Sequence, residues 1–120
     1  MRATKLIIVA AMLGVPAASA GAQNRTDPYA HNAIERGQFS EAEASLRAQL
    51  LVEPAKPELL LNLAAIYART NRLEQAEALY ARVMAGEDVS LLLRPDYALG
   101  AHAIAQRGLR KLDVQRTAGR

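Results

Sequence analysis

Few side chains in this sequence are of the kinds that do chemistry. The histidines are His31 and His102, and neither is expected to have a Cys, His or carboxylate partner at ligand spacing such as a helical i+4, so no metal ligands are assigned. Ser19, Ser40, Ser45 and Ser90 fall in a leader, a helix cap, a helix and a loop, and none has the strand–turn–helix setting of an activated serine. Glu41, Glu43, Glu74 and Glu77 fall on caps or outward helix faces, where a solvated surface is the plain reading. The chain has no cysteine, hence no thiolate nucleophile, and no glycine-rich phosphate loop. Catalytic residues: none; cofactors: none; the expectation is a protein that is not an enzyme.

The elements that carry these residues are helical. The 120 residues suffice for one domain, about half are apolar, and with one Phe and no Trp the core must come from Ala, Leu and four Tyr. Ala-rich, Gly-poor sequence favours helix, no stretch alternates as a strand, and the predicted fold class is all-α. Arg2 and Lys5, the apolar run Leu6–Val15, and the small-residue signals Ala18-Ser19-Ala20 and Ala20-Gly21-Ala22 make residues 1–22 a predicted signal peptide, cleaved before Gly21 or Gln23. A membrane anchor needs roughly 20 apolar residues, and Pro16 interrupts this run earlier. The expected location is therefore outside the cytoplasm, in the periplasm. Loss of the leader lowers the net charge from +3, because Arg2 and Lys5 go with it. Residues 94–120 then carry six basic side chains against two acidic ones, and residues 21–93 seven against ten. A frayed, solvated tail over 113–120 is the plain reading; a membrane surface or an acidic partner is the sharper one. Nucleic acid is not expected, since no aromatic residues interleave these charges for base stacking.

Local signals set the order. Asp27-Pro28 opens a first helix and Gly37 closes it. Ser40 and Glu43 form a capping box for a second helix, which Pro54 stops. A third runs from Pro57 to about Arg69 and a fourth from about Arg72 to Ala85, with Asn71 and Glu74 as a looser box. Leu91–Leu93 reads as a packed connector before Pro95, and a fifth helix is predicted from Asp96 to about Arg107, with Gly108 ending or kinking it.

Gly37, Phe39, Ala42 and Leu46 fall 34 residues before Asn71, Leu73, Ala76 and Tyr80, each keeping its size class. A period of about 34 is that of tetratricopeptide units. Residues 57–90 resemble one tetratricopeptide repeat (TPR): Leu60, Leu63, Ala64 and Tyr67 stand at the pattern positions of its first helix, and Asn71, Leu73, Ala76, Tyr80 and Val83 at those of its second. Asp88 stands where the family often has Pro. Residues 23–56 fit in their second helix, through Phe39, Ala42 and Leu46, and depart in their first. The resemblance implies a short right-handed array of antiparallel helix hairpins: two repeats over 23–90, then a connector and capping helix over 91–112.

In this family the first helix of each repeat lines a groove for a peptide or helix. Mapped by repeat position, the resemblance places Asn62, Ala65 and Arg69 there from the second unit, His31 and Glu35 from the first, and His102 and Gln106 from the incomplete third. It puts Asn62 where peptide-clasping members carry an amide for the ligand backbone. The implied function is an exported protein–protein interaction module, an adaptor or scaffold for an unidentified protein or peptide. The alternatives are a self-assembling structural component of an envelope complex, through its unfinished ends, and an accessory subunit of an enzyme.

Overall fold

A computed structural model describes residues 27–119 of the chain. The predicted leader and its two cleavage signals lie outside the described residues. A single 3-10 turn, Pro28–Ala30, leads into α1 (His31–Glu35), α2 (Phe39–Val52), α3 (Pro57–Arg69) and α4 (Leu73–Ala85). A hairpin follows, β1 (Ser90–Arg94) and β2 (Tyr97–Gly100), and α5 (Ala101–Ala118) closes the described chain. The architecture is an all-α array with one small antiparallel ribbon inserted before its last helix. No helix among the described residues is long and apolar enough to cross a membrane.

The 34-residue offset is kept in the backbone. Gly37 (φ +74°) and Asn71 (φ +61°) are both left-handed, one per repeat. After Gly37, the Gln38 N–H bonds back to Ala33 O at 2.8 Å; after Asn71, the Arg72 N–H bonds back to Tyr67 O at 2.7 Å. Each turn thereby satisfies carbonyls that a helix end leaves free. Neither predicted capping box forms. Gln38 and Arg72 are the N-caps, with no side-chain cap bond. After the left-handed turns the helices start at Phe39 and Leu73, so Ser40 falls inside the first turn of α2 instead of capping it, and Glu43 is free to reach Arg72 at 2.5 Å. Asp27 does cap a helix, but it does so across the 3-10 turn, accepting from the N–H groups of Asn32 (2.9 Å) and Ala33 (3.0 Å).

α3 is the buried centre. Leu59, Leu60, Leu61, Leu63, Ala64, Ile66 and Tyr67 are all buried, because α3 packs on α2, α4 and α5 together. Ala42, Ala64 and Ala76 have no exposed surface, which is how these helix backbones approach so closely. Among the predicted repeat-core residues, Leu46, Tyr80 and Val83 are buried as well, and Phe39 and Leu73 pack against the core half-buried. The repeats are also tied on their surface. Arg47 donates to the Tyr67 hydroxyl at 2.7 Å and pairs with Glu43 at 3.3 Å, while the Arg72 guanidinium lies 4.4 Å from the Tyr67 ring centre.

The chain beyond residue 90 departs from the sequence reading. Leu91–Leu93 is a strand, and Tyr97 and Ala98 belong to its partner strand rather than to a helix. Leu91 pairs with Leu99 and Leu92 with Ala98, with a bulge before Arg94 pairs with Tyr97. Pro95-Asp96 supplies the turn and forces Arg94 to be extended, so the chain reverses instead of starting a helix. α5 begins five residues later than predicted and ends much later, and Gly108 neither ends nor kinks it. The segment 113–118, predicted to be a disordered tail, is helical. Leu112 is buried, Gln115 Nε2 donates to Ala68 O at 3.1 Å, and Arg116 pairs with Glu77, so tertiary contacts hold the final turns.

Candidate partner-binding surface

Two cavities lie end to end along the seam between α3 and α5. The first, of about 530 Å3, is bounded by Tyr29, His31, Glu58, Leu61, Asn62, Ser90–Leu93 and Ile104. The second, of about 390 Å3, is lined by Ala65, Ala68, Arg69, Tyr80, Gly108, Lys111 and Gln115. The register explains the succession: Asn62 and Arg69 are two helical turns apart on α3, and Ile104 and Gly108 one turn apart on α5.

Gly108 shapes the second cavity. A side chain there would overlap Cζ, Cε1 and Cε2 of Tyr80, so the ring lies directly on the α5 backbone. Burial pushes the Tyr80 phenol up from its ordinary pKa, with Arg69 pulling the other way, so near neutral pH it stays a protonated hydroxyl. Arg69 is exposed, and its guanidinium lies 5.9 Å from the centre of the Phe39 ring, so α2 helps to aim it. Among the described residues neither Arg69 nor Lys111 pairs with a carboxylate, and the lining of this cavity holds no acidic side chain. Small residues, Ala65 and Ala68, leave the floor open. The combination is a shallow trough with two cations, an amide and a hydroxyl, suited to carboxylates.

The predicted groove residues divide. Ala65 and Arg69 line the second cavity. Asn62 and His31 line the first. Asn62 does clasp a backbone carbonyl, but the chain's own: its Nδ2 donates to Tyr29 O at 2.8 Å. That bond secures a turn in which Tyr29 (φ +66°) and Ala30 (φ +56°) are both left-handed, a costly conformation for residues with a Cβ. Against the expectation that neither histidine has a carboxylate at i+4, His31 and Glu35 pair with each other at 3.0 Å on successive turns of α1. His102 and Gln106 line neither cavity. The His102 ring bonds Gly86 O at 2.8 Å through Nε2, and its backbone N–H donates to Asp88 Oδ1 at 3.0 Å. The hairpin shifts α5 relative to a repeat helix, so Ile104, Gly108, Lys111 and Gln115 face the seam instead. Their spacing was readable as one helical stripe; taking Gly108 as a terminus hid it.

Residues 33–90 match the family model described as Tetratricopeptide repeat. Residues 33–90 belong to the tetratricopeptide-repeat family. Searches of curated proteins and of solved structures each found no match to the chain. Within this TPR segment, α1–α2 and α3–α4 are the two hairpins, and α3 is the first helix whose exposed edge forms the seam. TPR modules in general mediate protein–protein interaction. Asp88, the residue at the family's frequent proline position, caps α5 through the His102 N–H. Its carboxylate lies where a Cβ on Gly100 would go, so Asp88 and Gly100 together fix the start of the helix that closes the TPR core.

Proposed function

We propose that the chain is an exported, periplasmic adaptor whose TPR module holds an acidic segment of a protein partner in the α3–α5 seam, without catalysis. The observation that carries this reading is the second cavity: Arg69 and Lys111 stand over an alanine floor with no carboxylate opposing them. A partner carboxylate between them would gain charge-assisted bonds, in a cavity that Tyr80 and Gln115 also line. The N-terminal pattern of residues 1–22 supports export.

The test is affinity capture from the envelope fraction with two baits, the native chain and the Arg69→Glu/Lys111→Glu variant. Proteins held by the first and lost by the second, and competed off by a glutamate-rich peptide, support the reading. Identical captures by both baits overturn it.

A further inference from the structure

We propose that β1 is a dimerisation edge, pairing antiparallel with β1 of a second copy to give a four-stranded sheet. This surface borders the first cavity of the seam, next to the basic trough of the second cavity on which the adaptor reading rests. β1 is hydrogen-bonded to β2 alone, and no third strand joins it among the described residues. Ser90, Leu91, Leu92 and Leu93 all line the first cavity. Successive strand side chains point to opposite faces, so four consecutive lining residues are accounted for by the edge of β1 away from β2 bordering the cavity. That edge presents unpaired backbone N–H and C=O groups beside an apolar floor of Leu61 and Ile104. Leu92 is 71% exposed and Leu93 49%, and neither carries a charge that would deter edge pairing.

Charge complementarity selects a second copy as the occupant. Glu58 borders this cavity and also a shallow cleft with Val89, which places it at the Ser90 end of β1. Its nearest cation, Lys56, is 4.0 Å away and closer to Glu53, at 3.4 Å. Arg94 stands at the other end of β1, stacked on the Tyr97 ring with 5.2 Å to its centre, and pairs with no carboxylate among the described residues. Antiparallel pairing about Leu91–Leu92 carries Arg94 of one copy to the Val89–Ser90 end of the other, beside its Glu58. The twofold axis makes this contact twice. Leucines 91–93 of the two copies then cover each other along the edge.

The experiment is light scattering and sedimentation equilibrium on the full chain in the form recovered from cells, with circular dichroism to verify folding. The native chain is expected to be a dimer at about 10–100 micromolar, a range typical of modest interfaces. Leu92→Lys, which alters an exposed side chain, should be folded and monomeric. Glu58→Arg and Arg94→Glu should each raise the dimer dissociation constant about tenfold or more, and the Glu58→Arg/Arg94→Glu double variant should restore it. A native chain that is monomeric throughout that range overturns the proposal. So does a dimer indifferent to Leu92→Lys, or a double variant no better than the singles. Capture of an extended peptide of another protein on β1 of a monomeric chain would likewise assign the edge to a foreign strand.

Discussion

The side-chain amide of Asn62 donates to the backbone carbonyl of Tyr29 across 33 residues of sequence, at 2.8 Å. One bond thus joins the centre of the second repeat to the left-handed turn that begins the first. Asn62→Ala should leave a half-buried carbonyl unpaired and destabilise the fold by about 1–2 kcal/mol. Asn62→Asp, which keeps the size and loses the donor, should be no better. Urea midpoints of the two variants check this; a native midpoint for either would mean that the turn stands without the amide.

Gly108 and Tyr80 make a second such pair. Gly108→Ala places a methyl group into the Tyr80 ring, and the expected cost is about 1–3 kcal/mol even though alanine is the better helix former. Truncating the ring in the same background, with Tyr80→Val, should make the added methyl group much cheaper than in the native chain. A double-mutant cycle in thermal melts measures the coupling, and additive effects would show that the ring and helix backbone do not meet.

Ala76 has no exposed surface at the α3–α4 crossing, and Ala78 on the same helix is exposed. Ala76→Leu should overpack the crossing and cost about 1–3 kcal/mol, while Ala78→Leu should change stability by less than about 0.5 kcal/mol. Equal denaturation midpoints for the two would refute this helix pairing.

Glu43 is held below the ordinary carboxylate range, chiefly by its hydrogen bond from Arg72, with burial opposing. A lowered folded pKa means that the unfolded chain binds the proton more readily. The contribution is therefore fully present above the unfolded value of about 4.3 and lost as pH falls through the lower folded value. Glu43→Gln should be less stable than the native chain near neutrality, and the gap should close as the solution is acidified below about pH 4. Melting temperatures across that range decide it; a gap independent of pH would assign the loss to packing.

Arg69→Ala and Lys111→Ala should each weaken a captured acidic partner by about 1–3 kcal/mol where its carboxylate is desolvated, with little change in stability. Arg107→Ala, an exposed residue of α5 that lines neither cavity, is the charge-matched control. Arg82, whose guanidinium donates to Pro54 O at 2.7 Å, would confound the comparison by loosening the join between repeats. Equal losses in all three variants would indicate net charge alone. Intact-mass measurement of exported protein is expected to give an N-terminus at Gly21 or Gln23; a chain beginning at Met1 would remove the export argument.

The residues alone determined α2, α3 and α4, the 34-residue repeat, and the alanines at which backbones meet. These are local or periodic properties: helix propensity, the spacing of apolar positions, and glycine or asparagine at a left-handed turn. The first helix, expected from Asp27-Pro28, starts only at His31 because Tyr29 and Ala30 are left-handed. Tertiary structure decided the rest. Nothing local distinguishes three leucines before Arg94-Pro95 as a strand edge rather than a packed connector, since β1 exists only through its pairing with β2. Nothing local keeps Gly108 helical, because the ring that fills its missing side chain comes from Tyr80, 28 residues earlier. The position of α5 follows from the hairpin, and that position chose Lys111 and Gln115 over His102 and Gln106 to face the seam. Asn62 is the sharpest case: its side chain was legible as a donor for a peptide carbonyl, and only the fold could supply that carbonyl from within, at Tyr29.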